Sequence, residues 1–184
     1  MELSDGEKLI LIMLSEIYEH LKIEGEIDPQ FVQSAIFREQ TWALAWKYPG
    51  IAGSSENNTP PVVNEVLDIL EMWEILEISY NKLQPADKAR VETEAEPFGR
   101  NVQFRGFDGN NETESMVVAG FLVNDLERFS TFKGRDLNSH MPSLETYRRM
   151  LAVFRPLRSS LTYNPLNAEQ IIKILKEQTH PEHR

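Results

Sequence analysis

An apolar side chain recurs every three or four residues between positions 62 and 83. The row consists of Val62, Val66, Ile69, Trp73, Leu76, Tyr80 and Leu83. This spacing is the period of one continuous stripe on an α-helix. Thr59 is a capping residue before Pro60, which suits a first helical turn, and Gln84-Pro85 ends the pattern. The spacing predicts a long helix over residues 60–83, and apolar residues on its flanks place it in the middle of a bundle.

Other segments combine a capping residue or a proline with an apolar stripe, the pattern that marks a helix start. They predict helices from residue 4 to about 23, from 28 over about 18 residues, from 85 to about 96, from 110 or 111 to about 129, from 142 and from 167. The apolar run at 116–123 also fits a strand, although the helical interpretation is favoured. Residues 97–110 are typical of an ordered loop that Phe98, Phe104 and Phe107 hold in place, and residues 130–141 are typical of a second loop.

The predicted fold class is all-α: a multihelical bundle of six or seven helices around the long central helix. A chain of 184 residues suits one well-buried core, so residues 1–184 are predicted to form a single helical domain. Residues 47–59 concentrate proline, glycine, serine and asparagine, the composition of a loop. This segment is the candidate hinge.

The chain has more apolar surface than a small bundle hides, because the central helix is apolar over most of its circumference and the first helix and a pair of tryptophans add to it. The stripe of the first helix consists of Ile10, Met13, Leu14, Ile17 and Leu21, and Leu9, Leu11 and Ile12 widen it. Burial in the core is favoured, and pairing with a second subunit is the alternative. Trp42 and Trp46, one turn apart, suit a core, a subunit interface or stacking on an aromatic ligand. These surfaces predict a homodimer or a larger homo-oligomer.

The net charge of −10 is unevenly distributed along this acidic protein. Residues 1–98 hold 19 acids and 7 bases, whereas residues 99–184 hold 10 acids and 12 bases. An acidic front half repels nucleic acid and anionic lipid, so neither is an expected partner.

The longest apolar runs, at 9–14 and 116–123, fall short of the ~20 residues that span a bilayer. The N-terminus does not resemble a secretory signal, and we expect a soluble, cytoplasmic protein.

Sequence motifs for cofactor or metal chemistry are missing. The chain has no cysteine, no glycine-rich dinucleotide or phosphate motif, no Gly-x-Ser-x-Gly and no His-Glu-x-x-His. His180 and His183 lie three residues apart in a tail that no helix would hold rigid. His140 follows Asp136 in a loop; a solvated histidine is the favoured interpretation, and an acid–histidine pair is the alternative. No metal and no cofactor are therefore expected.

Glu74 and Glu77 fall inside the apolar arc of the central helix at ~100° per residue. A buried carboxylate needs a cation, a proton or a route to water. The favoured interpretation is that packing changes along the helix and leaves both exposed. The alternative makes them the candidate catalytic carboxylates.

Arg148, Arg149, Arg155 and Arg158 form a basic cluster in the second half of the chain. As a functional patch the cluster would bind an anion or an acidic partner. The favoured alternative is that it neutralises the acidic half of the same chain. If Glu74 or Glu77 is buried, these arginines are the expected cations, because their own apolar stripe must pack on another helix.

Four segments of the chain are distinctive in their order and spacing: Leu67-Asp68-Ile69-Leu70-Glu71-Met72-Trp73, Gly106-Phe107-Asp108, Tyr147-Arg148-Arg149-Met150-Leu151 and Leu166-Asn167-Ala168-Glu169-Gln170-Ile171-Ile172. Together they resemble the YfbU-like family, a group of bacterial proteins of uncharacterised function. The resemblance extends from about Ser4 to Leu175 and is weakest over residues 28–60. It implies a cytoplasmic, multihelical protein and carries no catalytic residue over to this chain.

The function predicted from the sequence is that of a non-enzymatic interaction or regulatory protein, which acts as a homo-oligomer with an unidentified protein partner. The alternative is a small-molecule enzyme that uses Glu74 and Glu77, for which both carboxylates should converge in one solvent-reached pocket. A nucleic-acid-binding regulator is the third candidate, disfavoured by charge.

Overall fold

The computed structural model describes residues 3–52, 59–158, 165–180 and 182. Eight α-helices lie in these ranges: α1 (Asp5–His20), α2 (Pro29–Phe37), α3 (Trp42–Lys47), α4 (Pro61–Lys82), α5 (Pro85–Glu94), α6 (Thr113–Gly120), α7 (Leu144–Arg158) and α8 (Ala168–Lys176). The described ranges hold no β-strand, and an isolated bridge pairs Phe107 with Asn138. The predicted all-α multihelical bundle is confirmed. Part of the candidate hinge, residues 53–58, lies outside the described residues.

The long helix α4 is the centre of the bundle. It has 22 residues, about 33 Å at 1.5 Å per residue, and it packs against α6, α7 and α8. Six of its side chains are fully shielded from solvent: Val63, Val66, Ile69, Leu70, Met72 and Leu76. The repeat of three and four residues therefore predicted both this helix and the side that the core covers.

The helix predicted to run for about 18 residues from position 28 is instead two helices. Asp28 caps α2 as expected, accepting a hydrogen bond from the Phe31 amide at 3.1 Å. The chain then breaks at residues 38–41, where Glu39 has a left-handed backbone with φ of 59°. The break lets Trp42 enter the core edge-on against Phe121, with 6.2 Å between ring centroids. Periodicity did not reveal this break, because Phe31, Ala35, Trp42 and Trp46 keep the spacing of one helical face across it.

An aromatic cluster fixes the loop between α5 and α6. Phe104 and Phe107 are buried, and their rings contact Trp73 of α4 and Tyr147 of α7 at 5.7–6.2 Å between centroids. The Tyr147 hydroxyl donates to the Gly106 carbonyl at 3.0 Å. The loop is therefore ordered by its phenylalanines, as the sequence predicts.

The helix expected from Asn110 or Asn111 starts later, and it changes type before it ends. Thr113 is the first residue of α6, and a π-helical turn, Phe121–Asp125, follows the helix directly. Asn110 and Asn111 are not caps but donors to Asp108, at 3.0 Å from the Asn110 amide and 2.5 Å from the Asn111 side chain. The wider turn buries three consecutive side chains, Phe121, Leu122 and Val123.

Glu112 caps α7 from a distant part of the chain. Its Oε1 accepts from the Ser143 and Leu144 amides at 2.8 and 2.7 Å, and its Oε2 accepts from the Ser143 hydroxyl and the Asp108 amide at 2.9 Å each. Burial raises the pKa of Glu112, but the bonds from Leu144, Asp108 and Ser143 outweigh burial and lower the pKa overall. The ionised carboxylate therefore stabilises the start of α7.

Replacing Glu112 with Gln is expected to lower the free energy of unfolding by about 1–2 kcal/mol at pH 7. A lowered folded-state pKa gives stability that is present above the unfolded value of ~4.3 and is lost as pH falls through the folded value. The difference between parent and E112Q should therefore shrink as the pH is lowered from 6 to 3. Urea unfolding at each pH measures it, with the exposed Glu114→Gln as the control that should follow the parent. A constant difference would contradict the cap.

Candidate functional site

One side of α1 presents a continuous apolar stripe to solvent. This surface, the α1 face, consists of Leu9, Ile10, Met13, Leu14, Ile17 and Leu21, each between 50% and 63% exposed. Ser15 is the buried residue of α1, and the helix packs chiefly on α2. The favoured expectation that the core covers this stripe is therefore wrong. Local periodicity shows that a helix has an apolar side, but it does not show whether another helix of the same chain covers that side.

An apolar groove of about 470 Å³ runs beside the α1 face. Ile10 and Leu11 of α1 form one wall, and Val32, Leu44 and Tyr48 form the other. Ile51, at the edge of the groove, is 74% exposed. The groove and the α1 face together form one extended apolar surface, of the kind found at contacts between proteins.

Glu77 is buried, with 5% of its surface exposed. Its two carboxylate oxygens each accept a hydrogen bond of 2.8 Å from Arg135, and Oε1 also accepts from the Phe104 amide at 2.8 Å. The hydrogen bond to Glu77 raises the pKa of Arg135. The expectation that Glu77 is exposed is wrong, and so is the expectation that its cation comes from residues 148–158. The partner lies in a loop 58 residues away in the sequence, which no local pattern indicates.

Glu74 lies in a different place from Glu77. It is half-buried, accepts a 2.8 Å hydrogen bond from the Thr131 hydroxyl, and lines an acidic cleft of about 490 Å³ with Asp68 and Glu71. Glu77 does not line this cleft. The two candidate catalytic carboxylates therefore do not converge in one pocket. Within the described ranges, no group of three His, Asp or Glu side chains is arranged to hold a metal ion.

The arginines of α7 face the acids of α4. Arg148 donates to both oxygens of Glu65, at 2.7 and 2.9 Å, and this hydrogen bonding lowers the pKa of Glu65. Arg155 and Arg158 donate to the two oxygens of Asp68, at 2.9 and 3.0 Å. These contacts neutralise acids of the front half, the interpretation that the sequence favours.

The remaining member of the basic cluster, Arg149, points elsewhere. Its Nε donates to the Glu177 carbonyl at the end of α8, at 3.1 Å. The cluster is thus divided between two helices, α4 and α8. Its use as an anion or acidic-partner patch stays a prediction.

Comparison with known proteins assigns the chain to a family. The model of the YfbU domain matches residues 1–177, which is nearly the whole chain. The chain belongs to the YfbU family. This agrees with the resemblance of its four sequence segments, and the function of the family is uncharacterised.

A relative of this YfbU chain is a UPF0304 protein of Methanocaldococcus jannaschii. It is 34% identical over 115 residues, which span 60% of this chain and 64% of the relative. The YfbU chain thus aligns with less than two thirds of the length of that relative.

Among the described residues of the YfbU chain, no helix has the length and apolar character that crossing a bilayer requires.

Proposed function

We propose that this chain is a non-enzymatic interaction protein that acts as a homodimer, and that the α1 face is the contact between the two copies. The observation that carries the proposal is the exposure of the main apolar stripe of α1. The separation of Glu74 from Glu77 supports a role without catalysis by that pair, and the negative charge argues against nucleic acid. A cytoplasmic location stays a prediction from the sequence.

The spacing of the α1 face suits a second copy of the same helix. Ile10, Leu14, Ile17 and Leu21 are separated by four, three and four residues, the spacing of a coiled-coil seam. This series reads the same in both directions. An antiparallel second copy would therefore place Ile10 against Leu21 and Leu14 against Ile17, the self-complementary contact that a two-fold axis requires. The dipoles of two antiparallel helices also interact favourably, because the positive end of each lies beside the negative end of the other.

The apolar area of the α1 face is large enough for a dimer. Complete burial of a Leu, Ile or Met side chain contributes about 1.5–3 kcal/mol, so burial of the exposed half contributes about 1 kcal/mol. Six such side chains in each copy give about 12 kcal/mol for the pair, and the loss of independent motion opposes association by at least ~4 kcal/mol. With the smallest opposing value the difference is about 8 kcal/mol, which corresponds to a micromolar dissociation constant, and a larger opposing value gives a weaker dimer.

Replacing Leu14 with Glu is expected to raise the dissociation constant of the dimer at least ~100-fold, because it places one charge from each copy in a contact that excludes water. At ~10 μM, well above a micromolar dissociation constant, light scattering should give a mass close to twice the chain mass of 21.3 kDa for the parent, and a mass close to 21.3 kDa for L14E. Leu14 is 55% exposed within one chain, so the variant should still fold, which circular dichroism verifies.

The control for L14E is M141E, because Met141 is 68% exposed and lies outside the α1 face. M141E should keep the mass of the parent. A parent of 21.3 kDa would refute the homodimer, and a dimeric L14E would refute the α1 face as its contact.

A further inference from the structure

A second cleft, with a volume of about 510 Å³, lies between the end of α2, α6 with its π-helical turn, and residues 135–138. Its volume is within the range of ligand pockets, roughly 300–1,000 Å³. Unlike the groove beside α1, its lining combines charged, amide and apolar side chains. This mixed-charge cleft is separate from the α1 face and from the acidic cleft.

Two arginines line the cleft, and each makes a salt bridge and lies over an aromatic ring. Arg135 is held by both oxygens of Glu77 and lies over the Phe132 ring at 5.1 Å. Arg38 donates to Asp125 at 2.6 Å and lies over the Phe121 ring at 5.9 Å. Each guanidinium has five N–H donors, so each keeps donors beyond those bonds.

The carboxylate partners of both arginines lie outside the cleft lining. Glu77 and Asp125 have side chains that are only 7% and 17% exposed, and neither borders the cleft. A ligand in the cleft would therefore meet the donors of Arg38 and Arg135, which their partners hold in place, and not the partner carboxylates themselves. Such prealigned donors suit a ligand carboxylate.

Two other carboxylates do border the cleft. They belong to Glu39 and Asp136, which are both exposed. Two cations and two anions thus share one lining, so a simple anion would meet repulsion from Glu39 and Asp136. A molecule with both a carboxylate and an ammonium group matches both pairs.

The rest of the lining is apolar and open. Phe37, 69% exposed, lies at one side, and Met116 and Val117 lie at the other. Gly120 borders the cleft as well, and no atom lies within 4 Å of a Cβ added there. These residues leave space and apolar contacts for a hydrocarbon side chain.

The backbone beside the cleft is unusual in one place. Phe121–Asp125 is π-helical, and such turns occur disproportionately at functional sites. Asn124 of this turn lines the cleft. The left-handed backbone of Glu39 is the ordinary end of a helix, because the Glu39 and Gln40 amides donate to the Ile36 and Ala35 carbonyls of α2.

We propose that the mixed-charge cleft binds an α-amino acid with an apolar side chain. The ligand carboxylate accepts from Arg38 and Arg135, and its ammonium group faces Glu39 and Asp136. The side chain packs on Phe37 and on the surface of α6 next to Gly120. This is a binding site in addition to the proposed dimer contact.

Calorimetric titration with L-phenylalanine tests the site, with two analogues that each lack one charge. L-Phenylalanine should bind saturably at one site per chain, with a dissociation constant below ~1 mM. 3-Phenylpropionate lacks the ammonium group and phenethylamine lacks the carboxylate, and both should bind at least ~10-fold more weakly. No saturable binding up to ~10 mM would overturn the proposal, and so would equal affinity for 3-phenylpropionate.

Two variants locate the binding. G120L should abolish it by filling the cleft, because a Cβ added at Gly120 meets no atom within 4 Å beyond the local backbone and Gly120 is not part of the Glu77–Arg135 pair. R38Q should weaken it at least ~10-fold by removing one cation. R100Q is the matched control, since Arg100 is exposed, pairs with Glu96 and lies outside the cleft lining. An unchanged affinity of G120L for L-phenylalanine would overturn the site. The mass of these variants in light scattering tests the dimer separately.

Discussion

Replacing Glu77 with Leu is expected to lower the free energy of unfolding by about 3–5 kcal/mol. The substitution leaves the Arg135 guanidinium, whose side chain is 26% exposed, without the two bonds that neutralise it. It also leaves the buried Phe104 amide without its acceptor. Glu77→Gln should cost about 3 kcal/mol, because the amide keeps an acceptor but no charge. Denaturation in guanidinium chloride measures both losses.

Glu74→Gln is the matched control, on the same helix and one turn away. Glu74 is half-buried and accepts one hydrogen bond, from Thr131, so its loss should be below ~1 kcal/mol. A double variant, Glu77→Leu with Arg135→Met, should lose less than the sum of the single variants, because it leaves no unpaired charge. If E77L unfolds at the same midpoint as the parent, the buried pair contributes nothing to stability.

Replacing Gly106 with Ala is expected to lower the free energy of unfolding by about 3 kcal/mol or more. Gly106 has a φ of 89°, and a Cβ there would lie 2.0 Å from the Leu137 carbonyl oxygen. A left-handed backbone costs alanine about 1–2 kcal/mol by itself. Relief of the clash must also displace the backbone of Leu137, whose carbonyl accepts from the Phe107 amide at 2.9 Å. Thermal and denaturant unfolding both measure the loss.

Gly134→Ala separates the two causes of that loss. Gly134 also has a left-handed backbone, with φ of 80°, but no atom lies within 4 Å of an added Cβ. This variant should therefore lose only the ~1–2 kcal/mol of the backbone conformation. Equal losses in G106A and G134A would show that the close approach to Leu137 does not matter. A larger loss in G106A assigns the difference to that contact.

The helix starts and the apolar stripe of α4 could be predicted from the sequence because they depend on residues that are close together along the chain. Ser4 and Glu7 form a capping box at the start of α1, and Asn167 and Gln170 form another at α8. Each of these contacts joins residues three positions apart, so the local sequence specifies it. The side of α4 that is buried follows from the same local geometry.

The candidate sites depended on contacts between distant segments, and there the sequence predicted less. Arg135 rather than an α7 arginine neutralises Glu77, and the α7 arginines instead meet Glu65 and Asp68. Loops and helices both contain arginines that could pair with an acid of α4, so the composition alone does not show which arginine does. The pairing depends on which side of α4 each segment covers.

What the sequence alone determined is the fold class, most helix starts and the buried side of α4. The tertiary structure decided the break before Trp42, the cation that pairs with Glu77, the exposure of the α1 face and the convergence of Arg38 and Arg135 on one cleft. The physical reason is the range of the interactions. Caps and stripes arise from residues within one or two helical turns, whereas these other features arise from packing between segments far apart in the chain.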